Sequence, residues 1–232
     1  MSDAIRIRRH TYILTKGGSL PRILCHTPMK KRYETELPPQ YRLVRTIDAT
    51  DKRFGLLLNL IALIPAALII GVAWWLLPIE ASGQFDLSTL ATRLLVFAAA
   101  MFAYIILHEL VHGIAYKLLT HRKLTFGLTA TVAYCGVPDI FVYRSTALIA
   151  LLAPFLLFSL VAGLAICFLS APLDRFLAAV FLGLHVGGCV GDLYDTLLYL
   201  TRFRSPDSLM KDTGPAQYFY EPSDSAPSGQ TG

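Results

Sequence analysis

Two stretches of this sequence carry no charge at all: 24 residues from Phe54 to Leu77 and 28 from Thr146 to Leu173. A helix of roughly 20 residues crosses a hydrocarbon layer of about 30 Å, so each run is long enough to span one. Two further stretches are apolar but interrupted. One runs from about Leu90 to Leu119 and holds Arg93, His108, Glu109, His112 and Lys117. The other runs from Phe176 to Thr201 and holds His185, Asp192 and Asp195. Arg93 and Lys117 lie near the ends, where long side chains reach the interface. The inner groups have no such escape. The expected fold class is an all-α membrane protein with four transmembrane helices, at about 54–78, 90–119, 146–172 and 176–201.

Composition supports this reading. Charged residues are 16 % and hydrophobic ones 54 % of 232 residues, against roughly 25 % charged in soluble domains. The composition argues against a disordered chain and against a nucleic-acid partner read through a basic surface. The net charge of +5 has to be read by position. Residues 1–53 hold 12 Lys and Arg, the loop at 79–89 holds none, and basic residues return at Arg122, Lys123 and Arg144. The bias alternates at each crossing, which predicts both termini on the cytoplasmic side of a plasma membrane. The basic segment 1–53 is expected to face water and membrane lipid. The stretch 205–232, rich in Ser, Pro, Asp and Gly, is expected to be a disordered cytoplasmic tail.

Between the second and third apolar stretches, Leu124 to Tyr134 alternates apolar and small polar residues with period two. That pattern marks a half-buried strand. Gly136-Val137-Pro138-Asp139 offers turn chemistry, so a β-hairpin over about 124–143 is expected on the cytoplasmic face, with Ile140–Tyr143 pairing back. Ile5–Arg8, Tyr12–Leu14 and Tyr41–Ile47 are candidates for short strands.

His108-Glu109-Leu110-Val111-His112 is an HExxH pattern. On a helix, residues four apart share one face, so two imidazoles can hold one metal ion and the glutamate between them can act on water. Three ionisable groups within five residues of an apolar helix are costly; bound Zn²⁺ accounts for all three. A catalytic zinc usually takes a third protein ligand. The only later glutamate is Glu221, so the third ligand is a His or Asp: His121, Asp139, His185, Asp192 or Asp195. Depth favours the last helix. His108 and His112 lie about 27 and 33 Å along their helix, and Asp192 and Asp195 about 24 and 29 Å along theirs, at ~1.5 Å per residue. Asp192 is preferred because Gly187, Gly188 and Gly191 precede it and permit close helix approach or local unwinding. Asp195 and His185 share its helical face and remain candidates for the ligand, for a supporting role or for substrate contact. Asn59 lies at a similar level in the first helix and can donate to a developing oxyanion. Pro154 can leave a carbonyl free in the third.

With His108-Glu109-Leu110-Val111-His112-Gly113, Tyr134-Cys135, Leu152-Ala153-Pro154 and Gly191-Asp192 in that order, residues 54–201 resemble the bacterial putative zincin peptidases. More distantly the layout is similar to the site-2 proteases, intramembrane zinc metalloproteases. The resemblance implies a zinc metallopeptidase with Glu109 as base and His108, His112 and Asp192 as ligands. Its partner would be a protein or peptide substrate, a transmembrane segment among the candidates. It also implies that the hairpin presents substrate. The Asn/Pro-rich motif ending in Asp-Gly that carries the third ligand of site-2 proteases is absent; Asp192 is followed by Leu193 and has its glycine before it. The alternative is a non-proteolytic metal-binding membrane protein, a sensor or scaffold.

Overall fold

The computed structural model describes residues 6, 7, 10, 11, 31–77, 86–128 and 133–223. The chain divides into two units, 1–30 and 31–232. In the first, β1 (Arg6–Ile7) pairs antiparallel with β2 (His10–Thr11). Tyr12–Leu14 lies outside the described residues.

The second unit is mostly helical. Its long helices are α1 (Lys52–Leu76), α2 (Leu87–Thr120) and α3 (Arg144–Phe168). Asp51 and Asp86 cap the first two, each accepting from two backbone N–H groups of the first turn, which satisfies donors that a helix start leaves free. All three helices are long and apolar enough to cross a membrane. Only 11 % of the most apolar stretch of α1 and of α2 is buried within the protein. Leu56, Leu60, Ile64 and Leu68 on α1, and Leu95, Phe102 and Ile106 on α2, are exposed. Surfaces like these need an apolar solvent. Trp74 and Trp75 stand exposed at the far end of α1, where interfacial tryptophans belong.

The fourth expected helix is not one helix. It is α4 (Pro172–Gly188) and α5 (Val190–Thr201), bent by 51° at Cys189. Together they form a fourth candidate span. Gly187 has no room for a side chain, because a Cβ there would come within 2.7 Å of the Ala62 carbonyl oxygen. Gly183, one turn earlier, faces Ala66 of α1 in the same way. The small stripe therefore seats α4 backbone-to-backbone on α1. Arg93, near the start of α2, pairs with Asp174 at the start of α4 (2.5 Å) and ties the far ends of these helices.

The β-structure differs most from expectation. A hairpin is present, formed by β5 (Thr125–Leu128) and β6 (Ala133–Gly136); residues 129–132, between the two strands, lie outside the described residues. The Gly136–Asp139 turn instead leads into β7 (Phe141–Tyr143), which does not pair back onto the hairpin. It joins an antiparallel five-stranded sheet with β3 (Tyr33–Glu34), β4 (Tyr41–Asp48), β8 (Leu209–Asp212) and β9 (Ala216–Pro222), in the order β3-β7-β8-β9-β4. An all-α description with one hairpin is thus too simple. Residues 205–223 are not a disordered tail, while 224–232 lie outside the described residues. Their overall polarity hides Leu209, Met210 and Phe219, which are buried; Phe219 stacks on Phe203 at 4.9 Å between centroids. Part of the basic N-terminal segment, 33–34 and 41–48, is likewise sheet.

Every strand of this sheet adjoins the same ends of the helices. β4 leads into α1 and pairs with β9, which follows α5. The sheet thus holds both flanks of the helical region together. The core lies between sheet and helix ends, around Tyr116, Val137, Ile140, Val142, Ala150, Tyr199 and Met210.

The turn between β8 and β9 locks this sheet to the hairpin. Gly214 has φ +96°, and a Cβ there would collide with the Tyr134 ring; one on Gly136 would collide with Gly214 backbone. Gly214→Ala is expected to cost about 1–3 kcal/mol, read as a lowered unfolding temperature in detergent. Asp212, buried beside this turn, accepts a hydrogen bond from the Tyr116 hydroxyl (2.7 Å). Burial raises its carboxyl from the ordinary 3.8 to about 6, against the opposing pull of the Tyr116 and Gly214 hydrogen bonds. Between those values the folded chain holds a proton that the unfolded chain releases. Stability should therefore fall as pH rises from about 4 to about 6 and level off above, by at most about 3 kcal/mol. Asp212→Asn should flatten that slope in a series of melts across the interval.

Candidate metal centre

The HExxH residues lie on α2, two turns before its end. His108 and His112 are buried and Glu109 is half-buried. The bend at Cys189 places Asp192 in the first turn of α5, where the helix dipole favours a carboxylate. Three atoms converge between the helices. His108 Nε2 lies 3.2 Å from Asp192 Oδ2 and 3.2 Å from His112 Nε2, and His112 Nε2 lies 3.4 Å from the same oxygen. Ligand atoms at tetrahedral angles around one zinc, with bonds of ~2.0–2.1 Å, stand about 3.3 Å apart. The triangle has that spacing, and its open side leaves a position for a fourth ligand.

The far side of His112 explains its orientation. Its Nδ1 lies 2.8 Å from the Ala150 carbonyl oxygen in α3. Residue 154, four further along, is the proline inside that helix. It has no N–H, so the Ala150 carbonyl lacks its helical partner and accepts from the imidazole. The proline thus supplies a carbonyl that turns His112 Nε2 toward the centre, as outer partners of metal-binding histidines do. His108 Nδ1 lies 3.1 Å from the Tyr104 hydroxyl, which lies 2.7 Å from His185 Nδ1.

The other sequence candidates separate clearly. His185 is fully buried behind His108. His108, His185 and Cys189 also bring ligand atoms within 4.8 Å of one another, but the Tyr104 hydroxyl lies between the two imidazoles. Asp195 is buried one turn beyond Asp192, and its Oδ1 has no hydrogen-bond partner. Asn59 is exposed on α1 and does not line the cavity; its neighbours Phe54 and Leu58 do. His121 ends α2 in a left-handed conformation (φ 56°), and Asp139 is exposed.

A cavity of about 170 Å³ opens over the triangle. At about 15 Å³ per water it holds on the order of ten waters, too few for a packed helix. Its walls come from α1, α2, α5 and β6, and its roof is Ile47 of β4, Asp212, Gly214 and Gln217. Glu109 lines the cavity together with Cys135 of β6. Burial pushes the Cys135 thiol up to about 12, so it stays protonated and is a poor nucleophile. Sequence reasoning missed Tyr104, Asp212 and Gln217. Tyr104 was detectable by its spacing, one turn before His108 on the same face. The other two lie in the segment whose composition suggested disorder.

No curated protein and no solved structure matches the chain. A family model does match, over a stretch that contains His108, Glu109, His112 and Asp192 together. Residues 101–206 match the family model described as putative zincin peptidase.

Proposed function

We propose that this protein is a membrane-embedded zinc metallopeptidase that hydrolyses peptide bonds within or next to the membrane. The observation that carries the reading is the triangle of His108 Nε2, His112 Nε2 and Asp192 Oδ2, with sides of 3.2, 3.2 and 3.4 Å. Two imidazole nitrogens and a carboxylate oxygen this close need a shared cation, a proton or a metal ion, and the near-equal sides match the spacing of ligands around zinc. Zinc suits two imidazoles and a carboxylate, and when bound it supplies Lewis acidity that acidifies water and polarises a carbonyl.

Glu109 is the group free to move a proton. It belongs to the same helix turn as the two histidines and lines the cavity beside them. In that position it takes a proton from the attacking water and delivers it to the leaving amine. A glutamate in this slot has no role in simple metal storage, which favours an enzyme over a sensor or scaffold.

β6 runs along the cavity and pairs only with β5 among the described strands. Its other edge suits an extended segment bound by strand addition. A substrate helix would have to unwind to reach the centre, and edge hydrogen bonds would replace those it loses in the membrane. Basic residues flanking the sheet side orient that side, and both termini, toward the cytoplasm.

Purified in detergent, the full chain should bind about one zinc, with binding lost in Asp192→Ala and in His112→Ala. Glu109→Gln should keep the zinc yet lower cleavage of a quenched fluorescent peptide library by about 10²–10⁴-fold. Unchanged cleavage in that variant rejects Glu109 as the base.

A further inference from the structure

Behind the metal centre runs a chain of buried polar groups that begins on α3. It starts at the Phe155 carbonyl of α3, 3.2 Å from His185 Nε2. The Ser159 hydroxyl lies equally close to that nitrogen, at 3.2 Å; a carbonyl only accepts and a hydroxyl can accept, so a hydrogen on His185 Nε2 suits both neighbours. In a neutral imidazole the other nitrogen is then an acceptor. Two donors face that Nδ1: the Tyr104 hydroxyl at 2.7 Å and the Cys189 thiol at 3.6 Å. Tyr104 has a single hydrogen and gives it to His185. Its oxygen is left to accept from His108 Nδ1 at 3.1 Å. His108 therefore bears its proton on Nδ1 and presents a bare Nε2 to His112 and Asp192.

We infer that Tyr104 and His185 are positioning residues that fix His108 as the metal-competent tautomer, acting in series from the Phe155 carbonyl. The inference rests on the metal reading above. Burial supports it. His185 is 0 % and Tyr104 7 % exposed, and a buried histidine or tyrosine needs its partners fixed. Aromatic packing holds the relay in register: Phe158 and Phe181 meet the Tyr104 ring edge-on, each at 5.1 Å between centroids. The relay is the counterpart of the Ala150 carbonyl that orients His112. Both imidazoles are thus referred to backbone carbonyls of one helix, α3, directly for His112 and through two side chains for His108.

The test uses the detergent-purified full chain and measures Zn²⁺ affinity by competition with a chromophoric chelator, together with the unfolding temperature. Tyr104→Phe removes one oxygen and keeps the ring. It should weaken zinc about 10–100-fold, the usual effect of losing an outer partner of a metal-binding histidine. His185→Leu should weaken it by a similar factor, and the double variant no further, because the two act in series. His185→Asn is the deciding case. Its side-chain oxygen can stand where Nδ1 accepted from Tyr104, so it should restore zinc affinity to within a few-fold of wild type despite poorer packing. A purely structural role predicts the reverse order, with the apolar, better-filling leucine ahead of asparagine in affinity and stability alike. Affinities of Tyr104→Phe and His185→Leu within twofold of wild type, or leucine ahead of asparagine, overturn the relay while leaving the metal centre standing. A wild-type chain that takes up no zinc overturns the metal reading and the relay with it.

Discussion

A buried ionisable group is costly without a partner, and here most of those on the apolar helices are gathered at one point. His108, His112, Asp192 and His185 come from separate stretches of an otherwise apolar chain, yet each has a polar contact there, and Glu109 lines the same cavity. The break at Cys189, the glycine contact of α4 on α1 and the proline in α3 are all arranged around that cluster. The exposed helix surfaces, by contrast, are largely apolar and specify little beyond length.

The centre is built from backbone as much as from side chains. Pro154 costs α3 one internal hydrogen bond, and the freed Ala150 carbonyl is where His112 docks. The 51° bend costs α4–α5 its continuity, and the new helix start carries Asp192. In each case a helical defect is offset by a contact to the site, which is the pattern expected when irregular backbone in a membrane is buried in protein. The five-stranded sheet completes the arrangement at the ends of the helices. Gly136 and Gly214 let the β8–β9 turn close against the hairpin, and the roof they form brings Asp212 and Gln217 over the cavity.

Much of this was legible in the residues. The helices fall within a few positions of the apolar stretches, because length and charge exclusion leave few alternatives. Depth along ideal helices put Asp192 level with the histidines, and the turn lost at Cys189 did not spoil the estimate. The Leu124–Tyr134 alternation signalled strand but not that it divides into two paired strands, β5 and β6, since no glycine or proline interrupts the pattern between them. Asp212 and the β8–β9 strands were hidden by composition. Leu209, Met210 and Phe219 are too few and too spread to give a periodic signal, and they gain meaning only from the surface that receives them. Asn59 shows the converse error, for depth alone does not say which face of a helix looks inward.

By itself, then, the sequence determined solvent and inventory. Apolar runs of membrane length, a sorted basic bias and an HExxH pattern follow from composition and spacing, which are local properties. Which distant groups meet was decided only by the tertiary structure: Asp192 against the histidines, Tyr104 and His185 behind them, the C-terminal strands above. Those contacts depend on helix rotation, on the angle of one bend and on the approach of two glycines, and none of these is encoded within a single segment.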